Sequence, residues 1–258
     1  MTNQIVSAKI EQFKAVLNQQ TIRAQIKNSL KEHSGAFMSS MIDLYSGESS
    51  LQNCDPEKVA MECVKAAALG LPISKSLGFA YVVPFKGNPT FIIGYKGLIQ
   101  LAQRSGLYRT INADAVYEGE LEGVDKMSGE IKLTGERTSS EIVGFFAYFR
   151  LMNGFEKVFY MTVEEVTDWA KRYSPGFSKE FSVWKTEFDK MAKKTVLKRL
   201  ISVYGPMSIE MQNVMENDEA PEEKLSRETA ANANQETIEI GADAVKDKTE
   251  SEAPKPEF

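Results

Sequence analysis

The spacing of apolar residues changes near residue 77, and this change constrains the fold more than any other feature of the sequence. Before it, apolar residues recur at helical intervals, as in Ile10, Phe13 and Leu17. After it, they alternate over residues 77–84 and 90–93, on either side of the turn-forming segment 85–89. Helix-forming and strand-forming segments thus occupy separate stretches. This pattern predicts an α+β fold in which antiparallel hairpins pack against helices.

Local signals place the individual elements. Asp55-Pro56-Glu57 is typical of a helix start, and Thr162 with Glu165 fits a capping box. Thr21 is predicted to cap the second part of a helical region over residues 5–30. Further helices are predicted over residues 37–45, 56–70, 95–105, 163–173, 179–204 and 208–215. Strands are predicted over residues 77–84, 90–93, 108–118, 126–134, 142–151 and 155–161, and the strand 142–151 is apolar enough to be buried on both sides.

The net charge of −5 is distributed unevenly along the chain. Residues 216–258 hold 13 acidic and 5 basic residues, a net charge of −8, whereas residues 1–215 hold 26 basic and 23 acidic residues, a net charge of +3. The acidic stretch has almost no aromatic residues and is predicted to be disordered. We therefore divide the chain into N-terminal helices (1–35), a core (36–215) and an acidic tail (216–258).

Several classes of protein are disfavoured by what the sequence lacks. His33 is the only histidine and Cys54 and Cys63 the only cysteines, so a zinc site or a catalytic triad has little to build on. Neither G-x-x-x-x-G-K-[ST] nor G-x-G-x-x-G occurs, which disfavours an ATP-driven activity. No apolar run is long enough for a membrane helix, and the N-terminus does not resemble a secretory signal. We expect a cytoplasmic protein with no metal, no cofactor and no catalytic residues.

The predicted helix over residues 179–204 carries the clearest charge pattern. At about 100° per residue, four of its lysines fall within an arc of roughly 140°. These are Lys190, Lys193, Lys194 and Lys198. The opposite side is apolar and contains Trp184, Phe188, Met191, Thr195, Val196 and Val203. Arg199 projects near the middle of that apolar side, where its charge needs a structural ion pair or a phosphate. The lysine face fits either an ordinary solvated surface or an anion-binding one.

A second segment, residues 77–106, interleaves aromatic and basic residues. The cations are Lys86 at the turn, Lys96 and Arg104, and the aromatic candidates are Tyr81 and Tyr95. Such a mixture suits single-stranded nucleic acid, because phosphates attract cations and exposed bases stack on planar rings. The alternative is that the aromatic residues of this segment, Phe79, Phe85, Phe91 and Tyr95, are simply core residues, and we expect this of at least half of them.

An acidic cluster, Glu118, Glu120 and Glu122, raises the alternative of a metal-dependent nuclease. We find no second carboxylate cluster to complete such a site, and a solvated hairpin edge explains these residues better. A third possibility is an adaptor whose basic patch binds an acidic protein and whose tail recruits partners.

Several motifs of this chain, taken in order, resemble the RecT family of phage and prophage recombinases. They are Leu69-Gly70-Leu71-Pro72, the segment 77–85 (LGFAYVVPF), Gly94-Tyr95-Lys96-Gly97, Arg104-Ser105-Gly106, Tyr117-Glu118-Gly119-Glu120, and the segment 184–200 with Met191-Ala192-Lys193-Lys194-Thr195. The resemblance covers roughly residues 20–215.

The resemblance implies a function. Proteins of this family coat single-stranded DNA without ATP, assemble into rings or helical filaments, and present the bases to a complementary strand. They work beside an exonuclease and meet the single-strand-binding protein of the bacterial host. The family thus implies that this chain binds single-stranded DNA and the annealed duplex and that it forms homo-oligomers. We assign the N-terminal helices 1–35 to oligomerisation and residues 36–215 to DNA binding and annealing. The DNA-binding candidates carried over are Tyr81, Lys86, Tyr95, Lys96, Arg104, Lys190, Lys193, Lys194, Lys198 and Arg199.

Overall fold

A computed structural model describes residues 2–85, 87–133, 136–174, 177–178, 182–209 and 211–212. In these residues the α-helices are α1 (Thr2–Leu17), α2 (Gln20–Leu30), α3 (Ser34–Gly47), α4 (Pro56–Ala68), α5 (Tyr95–Arg104), α6 (Val163–Tyr173), α7 (Val183–Thr186) and α8 (Phe188–Tyr204). The strands are β1 (Ala80–Phe85), β2 (Asn88–Ile93), β3 (Tyr108–Tyr117), β4 (Leu121–Val124), β5 (Ile131–Leu133), β6 (Ile142–Leu151) and β7 (Glu156–Thr162). The predicted α+β class is confirmed.

The four N-terminal helices pack together, with α1 and α2 both against α4. The rings of Phe13 in α1 and Tyr45 in α3 stack at 4.2 Å between centroids, and both side chains are fully buried. The predicted start of α4 is confirmed, since the Asp55 carboxylate accepts the backbone N–H of Glu57 at 2.8 Å. The prediction for Thr21 is wrong: α2 begins at Gln20 with Gln19 as its N-cap, so Thr21 lies within the first turn of the helix.

The largest sheet has three antiparallel strands in the order β3-β6-β7. Its central strand, β6, has the predicted bounds and places four alternate residues in the core, Phe145, Ala147, Phe149 and Leu151. A two-stranded hairpin, β1-β2, pairs Tyr81 with Ile92. The prediction of one strand over residues 126–134 is wrong: a turn lies between Val124 and Ile131, and of the described residues in this range only Ile131–Leu133 form a strand, β5, which pairs with β4.

Helix α8 packs on β3, β6 and β7 and on α5, which puts it at the centre of the core. It is shorter than predicted: Glu187, with φ −138° and ψ 44°, separates it from α7. The side chain of Trp184 in α7 still packs against Phe188 at 5.8 Å between ring centroids. Val203, expected on the apolar side, is instead 68% exposed.

The capping box before α6 is confirmed, because the Thr162 hydroxyl and the Glu165 carboxylate each accept a backbone N–H from the other residue. Within the described segments, every helix is too short or too polar to cross a membrane. The acidic tail, predicted to be disordered, and residues 210 and 213–215 of the predicted helix 208–215 lie outside the described residues.

Candidate nucleic-acid interface

The motif Gly94-Tyr95-Lys96-Gly97 forms the first turn of α5 at a point where two backbone segments touch. The Gly94 N–H donates to the Phe79 carbonyl at 2.9 Å. A Cβ at Gly94 would overlap the carbonyl oxygen of Gly78, and a Cβ at Gly97 would overlap that of Phe79. Both glycines are therefore required by close approach of the chain before β1.

Tyr81 and Lys96 meet over Gly78, just before β1. A Cβ added at Gly78 would lie 3.3 Å from the Tyr81 hydroxyl and 3.7 Å from Lys96 Cδ. Lys96 is exposed, whereas Tyr81 and Tyr95 are half-buried. The hairpin and the start of α5 thus place one cation and two aromatic rings on a shared part of the surface.

The beginning of α8 joins this cluster through Lys190. The Lys190 ammonium lies near enough to the phenol groups of Tyr81 and Tyr95 for their charge to help raise the pKa of Lys190. The pKa of Lys190 is raised chiefly because Glu187 accepts a hydrogen bond from it, at 2.7 Å between Nζ and Oε2. Burial raises the pKa of Tyr81, and the Lys190 charge acts in the opposite direction. Tyr81, Tyr95, Lys96 and Lys190 together define what we call the tyrosine–lysine cluster.

The other three lysines of α8 differ in their surroundings. Lys193 is largely buried and pairs with two carboxylates, Asp114 in β3 at 2.9 Å and Asp189 at 3.0 Å. Lys194 and Lys198 are half-buried and lie one and two turns beyond Lys190, about 6 and 12 Å along the helix axis. The predicted lysine face therefore starts at the tyrosine–lysine cluster and continues along α8.

Arg199 lies outside this cluster and is exposed, not enclosed by apolar side chains as the sequence suggested. Its guanidinium carbon lies 5.1 Å from the ring centroid of Phe159 in β7. Farther along the same surface, the Lys157 ammonium lies 5.2 Å from the Tyr204 ring, which is 44% exposed. Sequence reasoning named Arg199 but missed Lys157, Phe159 and Tyr204, because β7 and α8 are far apart in the chain.

Arg104 occupies the opposite end of α5, about 14 Å along the axis from Tyr95. Its guanidinium donates to the carbonyls of Leu69 and Gly70, which lie just beyond the end of α4. The structure therefore does not bring Arg104 together with the tyrosine–lysine cluster. Lys86, also predicted to contact DNA, lies outside the described residues.

Two members of the acidic cluster near the start of β4 make local hydrogen bonds. Glu118 Oε2 accepts from the Ser139 hydroxyl, and Glu120 Oε2 accepts from the Tyr117 backbone N–H, both at 2.8 Å. Across the part of the chain that the structure describes, no three or more His, Cys, Asp or Glu side chains are grouped so as to hold a metal ion. The geometry thus lends no support to the nuclease alternative.

The carboxylates that pair with the lysines were only partly foreseeable. Glu187 precedes Lys190 by three residues and Asp189 precedes Lys193 by four, spacings at which side chains on a helix meet. Asp114 gives no such signal, since it reaches Lys193 only through the packing of β3 against α8.

Comparison with known proteins identifies relatives. The model of the RecT family matches residues 35–234. The chain is 40% identical over 212 residues to the protein YqaK of Bacillus subtilis (strain 168), covering 81% of this chain and 73% of that protein. It is 32% identical over 225 residues to the protein RecT of Escherichia coli (strain K12), covering 79% of this chain and 78% of that one. The family match spans most of the chain, and both relatives are covered over more than two thirds of their length; the chain belongs to the RecT family.

Proposed function

We propose that this chain binds single-stranded DNA and anneals complementary strands without ATP and without a covalent step. Membership of the RecT family implies single-strand annealing in recombination. The observation that supports the finer proposal is the tyrosine–lysine cluster. In it, residues from a hairpin, the first turn of α5 and the start of α8 meet on one surface.

The chemistry of this surface suits a sugar-phosphate chain. Lys96 and Lys190 would neutralise phosphates, and the half-buried rings of Tyr81 and Tyr95 offer planar surfaces for stacking. Contacts to phosphate do not distinguish sequences, so the base edges remain available to a second strand. Pairing then selects the complement, and the protein supplies only the alignment of the strand.

The proposal also assigns roles to the segments of the chain and to its partners. Residues 36–215 form the DNA-binding and annealing core, and the helices within residues 1–35 contribute to assembly into rings or helical filaments. We assign a partner exonuclease, which exposes the strand, and the host single-strand-binding protein, which competes for it. The basic residues of α8, including Lys194, Lys198 and Arg199, extend the path of the strand beyond the tyrosine–lysine cluster.

A fluorescence assay tests the proposal. Two complementary oligonucleotides, one with a fluorophore and one with a quencher, are mixed with the full-length protein in EDTA and without nucleotide. We expect quenching much faster than spontaneous pairing, no change on addition of ATP, and none with a non-complementary pair. A requirement for ATP would contradict the proposal, and shortening of the strands in magnesium would favour the nuclease instead.

A further inference from the structure

Lys193 is a largely buried lysine of α8 that pairs with two carboxylates, one of them on another element of the fold. Its side chain is only 17% exposed, whereas those of its partners Asp114 and Asp189 are 58% and 49% exposed. Burial lowers the pKa of Lys193, yet the hydrogen bonds to the two carboxylates outweigh this effect and the pKa is raised. The ammonium is thus held between two carboxylates that themselves face solvent.

The ion pair with Asp114 joins two elements that are distant in sequence. Asp114 lies on β3, an edge strand of the three-stranded sheet, and Lys193 lies in the first half of α8. Lys190, one turn earlier on the same helix, belongs to the tyrosine–lysine cluster. Fixing Lys193 against β3 therefore fixes the position and rotation of the helix segment that presents Lys190.

Lys193 also controls the local charge. Asp114 and Asp189 would place two negative charges beside the proposed path of the DNA strand, where they would repel phosphates. With Lys193 between them the three groups carry a net charge of −1, and without it they carry −2. Removal of this lysine would therefore change the geometry and would make the local field near the cluster more negative.

We propose that Lys193 is a positioning residue for DNA binding, which docks α8 on β3 and offsets part of the charge of two aspartates without contacting phosphate itself. This inference rests on the proposed function, because it concerns the same DNA-binding surface. It separates Lys193 from the adjacent Lys194, although the sequence presents the two as an equivalent pair.

The test compares Lys193→Met with the triple variant Lys193→Met/Asp114→Asn/Asp189→Asn. Binding of the full-length proteins to a fluorescent single-stranded oligonucleotide is followed by anisotropy over a range of salt concentrations, well below the melting temperature. Lys193→Met should weaken binding by roughly tenfold, since charged groups in contact are strongly coupled. The triple variant should recover affinity to within about threefold of wild type, because no uncompensated carboxylate remains.

The salt dependence distinguishes positioning from contact. If Lys193 touches no phosphate, wild type and the triple variant have the same slope of log affinity against log salt concentration. The proposal would be overturned if the slope of the triple variant were smaller than that of wild type by about 0.7, the contribution of one phosphate on a single strand. It would also be overturned if the triple variant bound no better than Lys193→Met. If Lys193→Met does not fold, the slopes of wild type and the triple variant decide alone.

Lys171→Met is the matched control, because Lys171 also pairs with an aspartate, Asp168 at 3.0 Å, but on the exposed surface of α6. It should bind as wild type does. Wild-type protein that bound no oligonucleotide would refute the proposed function, and this inference with it. If wild type binds the oligonucleotide but the triple variant has a smaller salt slope, this inference is refuted and the proposed function stands.

Discussion

The Arg104 guanidinium donates a hydrogen bond to the Leu69 carbonyl oxygen, at 2.6 Å from Nη1, and thereby ties the end of α5 to the end of α4. A second bond, from Nη2 to the Gly70 carbonyl at 2.8 Å, completes a fork around the chain as it leaves α4. Carbonyls at a helix end have no partner within the helix, and a cation suits this end of the helix dipole.

The first prediction concerns this contact. Arg104→Gln should lower the free energy of unfolding by about 1–2 kcal/mol, because two hydrogen bonds from a charged donor are lost at an exposed site. It should leave the salt dependence of DNA binding unchanged. Urea unfolding and anisotropy titrations measure the two effects. Arg109→Gln is the control for the loss of one positive charge, because the Arg109 side chain on β3 is exposed. A salt slope that is reduced in Arg104→Gln and not in Arg109→Gln would show that Arg104 contacts phosphate.

The second prediction concerns the glycines of the first turn of α5. Gly94→Ala and Gly97→Ala should each lower the free energy of unfolding by about 1–3 kcal/mol, because the added methyl group meets a backbone carbonyl that cannot yield easily. Gly35→Ala serves as the control, since Gly35 lies in α3 with nothing within 4 Å of an added Cβ. That variant should be neutral or more stable by about 0.5–1 kcal/mol. Equal effects at all three positions would contradict the proposed close approach.

The third prediction concerns the tyrosine–lysine cluster. Lys96→Gln and Lys190→Gln should each weaken binding to single-stranded DNA and reduce the salt slope by about 0.7, as expected for the loss of one phosphate contact. Tyr95→Leu should weaken binding without changing the slope, because stacking involves no counterion release. Anisotropy titrations at several salt concentrations measure both quantities. A reduced slope for Tyr95→Leu, or none for either lysine, would remove the cluster from the DNA path.

The fourth prediction concerns the continuation of that path along α8. Replacing Lys194 and Lys198 together with glutamate reverses two charges and should abolish annealing in the quenching assay. Circular dichroism and the melting temperature establish whether the double variant remains folded. Folded protein that anneals at the wild-type rate would exclude this part of α8 from the interface.

The fifth prediction concerns pH. Burial raises the pKa of the Cys63 thiol to about 12 from an ordinary value near 9, so the native state holds this proton more tightly than the unfolded state. Its contribution to stability is complete below pH 9 and is lost as the pH rises toward 12. At pH 10.5 the loss should be about 2 kcal/mol. Urea unfolding at pH 8 and pH 10.5 should show a smaller decrease in Cys63→Ala than in wild type; equal decreases would contradict the prediction.

Local chemistry made much of the fold predictable. The caps at Asp55 and Thr162 act within four residues, so the sequence alone identifies them. The helix break at Glu187 was missed because Trp184 and Phe188 keep a helical spacing across it, and both contribute to the core despite the break.

The candidate site was predictable in its parts and not in its arrangement. Tyr81, Tyr95, Lys96 and Lys190 all stood out by residue type, and the resemblance to the family reinforced them. Their convergence depends on the contact of α5 with α8, which no local pattern encodes. For the same reason, the sequence could not reveal that Lys193 is paired with Asp114 on another element.

The order of strands in the three-stranded sheet bears on how the chain folds. The central strand β6 is joined to β7 by a short turn, but to β3 only across the whole β4–β5 region. Short loops close at lower entropic cost, so the β6–β7 hairpin should form first and β3 should dock later. In pulse-labelled hydrogen exchange during refolding, the amide of Phe159 should gain protection before that of Asn112. The interaction between Asp114 and Lys193 would then belong to a late step on the folding pathway.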